Sequence, residues 1–467
     1  MAAGHPATVE AGIEVLDAGG SAVDAAVAAS LASCVAETVM TGLLGGGHAI
    51  VYAPGEEART LDFFVAAPGL GAGGREAEPR QLEVPFGVEI VHYAIGVASC
   101  GVPGLPAGLH ELWRDGGRLP WEDLVEPALR LARGGVELPA GHAACLAMLE
   151  PVMTMGAGAR IYAPNGRLLG PGDRVEQPGL VPALELVARE GGRTLYEGAL
   201  AEALLASMEE LGGLVTRRDL EVYEPRWQRA DARASMRGLV LGRAGGLNSP
   251  QPVFERLPSL AEASAGERVL ALAGALDGDD RAGETTNITA VDREGNACVL
   301  TTSLGLGSGD WLPGFDLHLN SMLGEADLLV GELAPGDRMA SMMAPTLILG
   351  ERGLALAAGA AGGTRLRSAL VQVVAGILDE GLEPSVATRR PRLHRVGDVV
   401  HVEPGLDPQA LGALEREGYD VRCWEAPHHY FGGVSAVGVR GAAGDPRRSG
   451  AARTIDRNDV DQSSTFP

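Results

Sequence analysis

The chain has 467 residues, of which 46% are hydrophobic, 21% are charged and 67 are glycine. This length fits two or three ordinary domains or one large layered α/β unit, and the composition is that of a folded globular protein rather than a disordered chain. The formal net charge of -23 repels phosphate backbones and anionic lipid surfaces, so we expect neither a nucleic-acid partner nor a membrane partner.

The cysteines and the N-terminal segment indicate a compartment. The sequence has five widely spaced cysteines and no C-x-x-C pair, a pattern that favours neither a disulfide framework nor a zinc ribbon. The opening residues "MAAGHPATVEAG" contain no basic segment followed by an apolar one, and no later apolar run approaches about 18 residues. We therefore expect a cytoplasmic protein in a reducing compartment.

The first half of the sequence is rich in predicted helices. Apolar residues recur at helical spacing from Ala7 to Ala18, the pair Gly19 and Gly20 ends that helix, and Ser21 with Asp24 can cap a second one. A strand, "HAIVYAP", follows a run of three glycines. Paired glycines close four further predicted helices: "GLPAGLHELWRDGG", "WEDLVEPALRLARGG", "LVPALELVAREGG" and "GALAEALLASMEELGG".

The pattern changes after residues 245–283, which predict irregular structure with a Pro/Gly/Asn break and an acidic, turn-prone end. The segments "NITAVD" and "ACVLTTS" then alternate like strands, and Gly295-Asn296 between them favours a β-hairpin. One helix, "RLRSALVQVVAGILDEG", lies among further predicted strands: "APTLILG", "GLALAAGA", "VVHVEP" and "SAVGVRG".

Thr285 and Thr286 open the predicted hairpin, directly after Glu284. A threonine hydroxyl is a weak nucleophile, but a threonine at a chain terminus carries a base in its own α-amine, which titrates near pH ~8. Creating that amine requires cleavage of the Glu284-Thr285 bond, by attack of the threonine hydroxyl on the preceding carbonyl and hydrolysis of the resulting ester. The sequence thus offers Thr285 as a candidate nucleophile and Glu284-Thr285 as a candidate autocleavage site.

The segment "GETTNITAVDREGNACVLTTS" resembles the processing-site motif of the gamma-glutamyltransferase family, T-T-H-x-S-V-V-D-x-x-G-N-A. Other segments resemble that family in the same order along nearly the whole chain: "AGIEVLDAGGSAVDAAVAASLASCVAE", "GLLGGGHAIVY", "GVPGLPAGLHELW", "GGLVTRRDLEVYEP", "APTLIL", "GAAGGTRLRSALVQVV" and "GDPRRSGAA". An ordered series of this length is far more specific than a single hydroxyl-bearing motif.

The resemblance implies an N-terminal nucleophile hydrolase with an α/β fold, a four-layer αββα sandwich. It implies self-cleavage into a heavy segment, residues 1–284, and a light segment, residues 285–467, which together form one αββα unit. Thr285 would be both nucleophile and base, Ser303 would hydrogen-bond that nucleophile, and Ser341 would contact substrate. Gly362 and Gly363 would form the oxyanion hole, where glycines let backbone N–H groups approach a developing oxyanion closely.

The sequence departs from the family at the substrate subsite. Phe64 and Val65 stand where the family has an arginine and a glutamate, so apolar surface replaces a bidentate carboxylate clamp. Met342 replaces the second serine of a pair, and Gly305 occupies a usual asparagine position. The family's N-N-x-x-D-D segment, which grips the α-amine, is "LNSMLGEADLL" here, where Glu325 or Asp327 could supply the acid. We therefore expect that ordinary γ-glutamyl substrates are not held in the ordinary way.

Two smaller departures precede or follow the nucleophile. Asn287 replaces the histidine of the family motif, and the proline-serine-glycine loop of the family reads "GRAGGLNSP". Some helical sequence expected before Thr285 is also missing, which would open the pocket or leave it partly disordered.

Three functions stay open at this point. The first is acyl transfer or hydrolysis of a small-molecule amide through an acyl-enzyme at Thr285. The second is hydrolysis of a carbon-carbon bond beside a carbonyl in a ketone substrate, as in relatives from alkylproline-type secondary-metabolite pathways. The third is an unprocessed, non-catalytic homologue that acts as a binding protein.

Two other motifs give weaker evidence of function. The segment "GLGAGG", residues 69–74, matches a dinucleotide-binding pattern, but prolines on both sides leave no helix N-terminus for a pyrophosphate. His428 and His429 are adjacent and would point apart on a strand, so they do not suggest a metal site. We expect neither a metal nor a cofactor.

Overall fold

A computed structural model describes residues 1–86, 89–276 and 285–455. The helices, in chain order, are α1 (Pro6–Asp17), α2 (Ala22–Ala36), α3 (Leu105–Gly116), α4 (Trp121–Gly134), α5 (Ala140–Met153), α6 (Gly158–Tyr162), α7 (Leu180–Glu190), α8 (Thr194–Glu197), α9 (Ala199–Leu211), α10 (Arg217–Val222), α11 (Gln251–Arg256), α12 (Ala265–Ala275), α13 (Arg365–Leu378), α14 (Pro384–Arg389) and α15 (Pro408–Glu417).

The strands, in chain order, are β1 (Ala2–Ala3), β2 (Gly46–Tyr52), β3 (Arg59–Phe63), β4 (Arg80–Phe86), β5 (Glu89–Ile95), β6 (Val136–Glu137), β7 (Arg174–Val175), β8 (Arg226–Arg229), β9 (Asp231–Ser235), β10 (Gly238–Gly242), β11 (Thr286–Val291), β12 (Ala297–Ser303), β13 (Trp311–Leu312), β14 (Leu317–His318), β15 (Thr346–Gly350), β16 (Gly353–Ala361), β17 (Leu393–Val396), β18 (Val399–Val402), β19 (Asp420–Cys423), β20 (Gly433–Gly438), β21 (Gly441–Gly444) and β22 (Ala451–Ala452).

Two antiparallel sheets organise these strands. The seven-stranded sheet has the order β22-β1-β11-β12-β2-β3-β8, and the six-stranded sheet has the order β21-β20-β16-β15-β10-β9. Strands from before and after residue 285 are neighbours in both sheets, since β12 pairs with β2 and β15 pairs with β10. The two parts of the chain on either side of the candidate cleavage site are therefore joined by backbone hydrogen bonds as well as by packing.

The hydrophobic cores show how the two sheets and the helices pack. Ala49 of β2 belongs to a core shared with α2 and α4, whereas the next residue, Ile50, belongs to a core that includes Leu347 and Ala357 of the six-stranded sheet. Successive residues of a strand face opposite sides of a sheet. One face of the seven-stranded sheet is thus covered by helices, and its other face meets the six-stranded sheet, against which α13 also packs.

The local sequence explains the helices that cover the seven-stranded sheet. Ser21 and Asp24 form the predicted capping box at the start of α2. Alanine dominates α2, and small residues let α1 approach it closely: a Cβ added to Gly12 would lie 3.1 Å from the carbonyl oxygen of Ala25. This close packing replaces the large aromatic side chains that the chain largely lacks.

Structure departs from the sequence prediction in residues 245–283. The break "GGLNSPQPVF" leads into a short helix, α11, and residues 265–275 form helix α12, which we did not predict. Ser264 and Glu267 form a capping box there, so a local signal for α12 was present in the sequence. The acidic approach to Thr285, residues 277–284, lies outside the described residues, and Glu284 with it.

Candidate active site

The predicted hairpin places Thr285 and Ser303 at the same open end. Strands β11 and β12 pair from Val291 opposite Ala297 to Thr286 opposite Thr302. The next positions in this register are Thr285 and Ser303, and directly opposite residues in an antiparallel pair have neighbouring side chains. Both residues are buried, and both line one cleft of about 330 Å³, a volume that includes its open mouth.

The cleft brings together most of the residues that the sequence singled out. Besides Thr285 and Ser303, its lining includes Phe64, Glu325, Ser341, Met342 and Gly363. Sequence reasoning missed four further lining residues, Met322, Leu328, Met343 and Leu366. The missed residues are all apolar, and only the packing of distant segments reveals their place; the side chain of Asp327 lies outside the described part of the structure.

Gly362 and Gly363 connect the end of β16 to the start of α13. Their φ angles are 126° and 58°, a region that favours glycine. Their carbonyls accept hydrogen bonds from Arg365 N–H and Leu366 N–H at 3.1 and 3.2 Å. Neither glycine N–H donates to another described residue, so both are available as donors. Gly363 lines the cleft, whereas Gly362 lies against Gly432, whose Cα would be 2.9 Å from an added Cβ.

Ser341 is held by its own loop. Its Oγ accepts a hydrogen bond from the N–H of Met343 at 3.2 Å, and its carbonyl accepts from Leu247 N–H at 3.0 Å. Arg243 also binds this loop, because its Nε donates to the carbonyl of Met343 at 2.9 Å and its Nη2 to the carbonyl of Ser341. Burial lowers the pKa of Arg243 to about 10, so its guanidinium stays charged at neutral pH.

Phe64 is part of the wall of the cleft and is almost fully buried, with 1% of its surface exposed. Its ring lies on the imidazole of His48, with ring centroids 5.5 Å apart. Its carbonyl accepts hydrogen bonds from Tyr223 Oη, at 2.7 Å, and from Arg338 Nη1. The position where the family resemblance predicts a carboxylate clamp is therefore occupied by a packed aromatic ring.

Glu325 and Gly305 meet at the edge of the cleft. Gly305 has φ 69°, and a Cβ added to it would lie 2.6 Å from Ser321 Oγ and 3.2 Å from Glu325 Oε1. The space that a side chain at position 305 would enter is already filled by these groups. Glu325 is buried and lines the cleft, so the cleft contains a carboxylic acid where the sequence suggested one.

A second, inner cavity lies on another side of Thr285. This inner cavity, about 300 Å³, is lined by Thr285, Thr286, Glu37, His142 and Arg448 among others. The carboxylate of Glu37 accepts hydrogen bonds from Thr8 Oγ1 at 2.7 Å and from Thr286 Oγ1. Burial raises the pKa of Glu37 to about 7, although the two hydroxyls and the charge of Arg448 act in the opposite direction. Sequence reasoning missed Glu37, for which no local motif gives a signal.

Asn287, which stands in place of the family's histidine, is buried in the hairpin beside the inner cavity. Its side-chain amide lies 2.8 Å from Thr301 Oγ1 and 3.1 Å from Thr289 Oγ1. A Cβ on Gly359 of the facing sheet would lie 2.0 Å from the side-chain amide of Asn287. Asn287 therefore joins the two sheets just behind Thr285.

The histidine pair differs from the sequence prediction. His428 and His429 lie at the start of a short 3₁₀ turn, with ring centroids 4.1 Å apart, rather than pointing apart on a strand. Burial lowers the pKa of both rings. Among residues 1–86, 89–276 and 285–455, no three His, Cys, Asp or Glu side chains group as metal ligands. Within the same ranges, no helix has the length and apolarity needed to cross a membrane.

Comparison with known proteins gives consistent matches. The sequence profile of the family described as Gamma-glutamyltranspeptidase matches residues 8–253 and 255–455. The "Acylase ACY 1 proenzyme" of Pseudomonas sp. (strain V22) is 27% identical over 89% of this chain and 86% of its own length. The "Glutathione hydrolase proenzyme" of Bacillus subtilis (strain 168) is 26% identical over 90% of this chain and 84% of its own length.

A solved structure, that of a cephalosporin acylase from Bacillus halodurans, superposes with a TM-score of 0.80. The match covers 97% of this chain and 96% of that one, at 22% sequence identity. At this identity the likeness shows a shared fold.

Proposed function

The chain belongs to the gamma-glutamyltranspeptidase family, and we propose that it is a self-processing N-terminal threonine hydrolase that cleaves small-molecule amides through an acyl-enzyme at Thr285. The fold is then the four-layer αββα sandwich of N-terminal nucleophile hydrolases. The observation that supports this most is that Thr285, Ser303, Ser341 and Gly363 line one cleft although they lie far apart in the sequence. The relatives named proenzymes support processing.

The chemistry assigns one role to each group. After cleavage of the Glu284-Thr285 bond, the free α-amine takes the hydroxyl proton as Oγ of Thr285 attacks the substrate carbonyl. The glycine N–H groups stabilise the oxyanion, the C–N bond breaks, and the amine leaves with the proton. Water then hydrolyses the ester, or a second amine takes the acyl group. Ser303, one strand away, orients the Thr285 hydroxyl.

Residues 1–284 and 285–467 stay together in this scheme. Strand β12 of the second segment pairs with β2 of the first, and β10 of the first pairs with β15 of the second. Cleavage of one bond between them leaves these ladders intact. We therefore assign the heavy and light segments as permanent partners in one active unit.

The residues at the substrate end of the cleft do not favour γ-glutamyl substrates. Phe64 stands where the resemblance places an arginine that binds a carboxylate, and Met342 replaces the second serine of a pair at the same subsite. Hydrolysis of a carbon-carbon bond beside a carbonyl remains a second candidate, since it uses the same nucleophile and oxyanion hole and an apolar substrate fits the same wall. A third candidate, a binding protein without processing, requires that Thr285 never becomes a chain terminus.

Hydroxylamine trapping tests the proposed chemistry. Purified protein is incubated with acyl 4-nitroanilides in the presence of hydroxylamine, which attacks an acyl-enzyme to give a hydroxamate. We expect release of 4-nitroaniline together with the hydroxamate of the same acyl group. Thr285→Ala abolishes both, whereas Thr302→Ala retains both, because the Thr302 hydroxyl contacts Thr41 at 3.0 Å and does not line the cleft. Equal rates for wild type and Thr285→Ala contradict the proposal, as does anilide cleavage without any trapped acyl group.

A further inference from the structure

One wall of the cleft is apolar. Six side chains form what we call the apolar wall: Phe64, Met322, Leu328, Met342, Met343 and Leu366. Each of them is at most 7% exposed. The hydroxyls of Thr285, Ser303 and Ser341 and the backbone of Gly363 line the same cleft. One set of groups in the cleft can therefore carry out acyl transfer, while the other can bury hydrocarbon.

Methionine is concentrated at this wall. Met322, Met339, Met342 and Met343 belong to one small buried cluster with Phe64, in a chain that has 11 methionines. Methionine side chains are flexible and polarisable, and they adapt to irregular apolar ligands. A cluster of this kind is suited to an alkyl or aryl group and offers no directional partner to an amino-acid head group.

Two arginines, Arg243 and Arg338, bind backbone carbonyls of wall residues. The Nε of Arg338 lies 3.6 Å from Oδ1 of Asp62. The guanidinium of Arg338 also donates to the carbonyl of Phe64 and, at 2.7 Å, to the carbonyl of Glu224. Arg243 donates to the carbonyls of Ser341 and Met343. Neither arginine lines the cleft. A carboxylate on the acyl group would therefore meet no cationic side chain among the described residues that line the cleft.

The one ionisable side chain among the described residues that line the cleft is acidic. Glu325 is 7% exposed, and its Oε1 faces Gly305 at the cleft edge. An acyl carboxylate that entered this cleft would be buried, and burial of a charge is costly unless the charge is paired. The apolar wall therefore acts against acyl groups that end in a carboxylate, including γ-glutamyl and glutaryl groups.

The size of the cleft limits the acyl group. Its volume is about 330 Å³ even with the open mouth included. The apolar wall is continuous with buried core on its far side. A short acyl chain fits this space better than a long one.

We propose, building on the proposed function, that the cleft selects a short, apolar, uncharged acyl group and disfavours acyl groups that end in a carboxylate. Phe64, Met342 and Met343 determine this specificity.

Matched uncleavable ligands test the subsite without requiring catalysis. Calorimetry on the purified wild-type protein compares 2-heptanone with 5-oxohexanoate, two methyl ketones of similar length whose tails end in a methyl group and a carboxylate. We expect 2-heptanone to bind at least tenfold more tightly. Equal or tighter binding of 5-oxohexanoate overturns the inference, and so does the absence of binding by both ligands.

Kinetics on matched anilides test the same specificity during turnover. We expect kcat/KM for hexanoyl 4-nitroanilide to exceed the values for the glutaryl and 5-aminopentanoyl compounds at least tenfold. Met342→Ser lowers the hexanoyl value mainly through KM, whereas Met153→Leu, a change at a buried methionine of another core, leaves the order of substrates unchanged. Preference for either charged acyl group overturns the inference.

The two proposals fail in different ways. If the protein prefers the glutaryl anilide and cleavage depends on Thr285, the proposed hydrolase activity stands and the proposed apolar subsite is wrong. If the protein binds 2-heptanone tightly but cleaves no anilide, the proposed apolar subsite stands and the proposed hydrolase activity is wrong.

Discussion

Phe64 lies on His48, with an angle of 28° between the two ring planes and 5.5 Å between their centroids. Burial and the nearby charges of Arg243 and Arg338 hold the pKa of His48 well below its usual range, so the imidazole is neutral at physiological pH. The wall that replaces the family's carboxylate clamp is thus backed by a neutral ring in a region where two cations are already engaged.

A positive charge at position 64 is predicted to destabilise the protein. Phe64→Arg removes a buried ring and places a third cation near Arg243 and Arg338, so we expect a loss of about 3 kcal/mol or more in the free energy of unfolding. Phe64→Leu keeps the wall apolar, and we expect a loss of roughly 1 kcal/mol. Thermal midpoints measured by scanning fluorimetry check the order. A midpoint for Phe64→Arg equal to that of wild type contradicts this account of the wall.

The glycine pair after β16 is predicted to be required for turnover. Gly362→Ala places a methyl group 2.9 Å from Gly432 Cα at a φ of 126°, which displaces the N–H groups that we propose stabilise the oxyanion. We expect kcat to fall roughly 100-fold or more. Gly353→Ala is the matched control, because Gly353 also has a positive φ, 95°, but lies at the opposite end of the same strand. Comparable losses of kcat in the two variants would exclude a specific role for Gly362.

The stability of the protein is predicted to fall as pH rises through the titration of Glu37. Its pKa is about 7 in the folded protein and near 4.5 in the unfolded chain, so between these values the folded state holds a proton that the unfolded state lacks. The free energy of unfolding then decreases with rising pH across this window. His142, which shares the inner cavity, has its pKa lowered to about 3 by burial and stays neutral throughout.

Glu37→Gln isolates this contribution, since glutamine keeps the shape and does not titrate. We expect the slope of thermal midpoint against pH between 4.5 and 7 to be less negative in the variant than in wild type. Thr8→Val, which removes one hydrogen bond to Glu37 and leaves its carboxyl titratable, serves as the control. Identical slopes for wild type and Glu37→Gln would show that Glu37 does not titrate in this range.

Local patterns predicted the framework of the site. Alternation and the turn at Gly295 indicated the hairpin that the structure contains, and the register of that hairpin places Thr285 beside Ser303. The capping box of α2 and the glycines at 362 and 363 were likewise visible in the sequence. These features depend on near neighbours in the chain, which is why sequence reasoning could identify them.

The remaining features of the site depend on packing between segments that are distant in the sequence. Met343, Arg243 and Glu37 reach the site because distant segments fold together. No spacing in the sequence predicts that these residues are close to Thr285. Helix α12 was missed although Ser264 and Glu267 form a capping box, because the glycine-rich and acidic surroundings favoured irregular structure. The histidine pair was misplaced because its segment turns instead of continuing as a strand.

Processing at Thr285 is the central claim, and it depends on a hydroxyl in front of a scissile bond. Thr285→Ser keeps a hydroxyl and is predicted to be cleaved, more slowly than wild type. Thr285→Ala lacks the nucleophile and is predicted to stay whole. Thr302→Ala, a neighbouring buried threonine outside the cleft, is predicted to be cleaved like wild type.

Intact-mass spectrometry with N-terminal sequencing of these four proteins tests the claim most directly. For wild type we predict two fragments, with Thr285 as the first residue of the second, and a single 48.2 kDa chain for Thr285→Ala. A wild-type protein that remains one chain after prolonged incubation, or a Thr285→Ala protein that is still cut between residues 284 and 285, would contradict it.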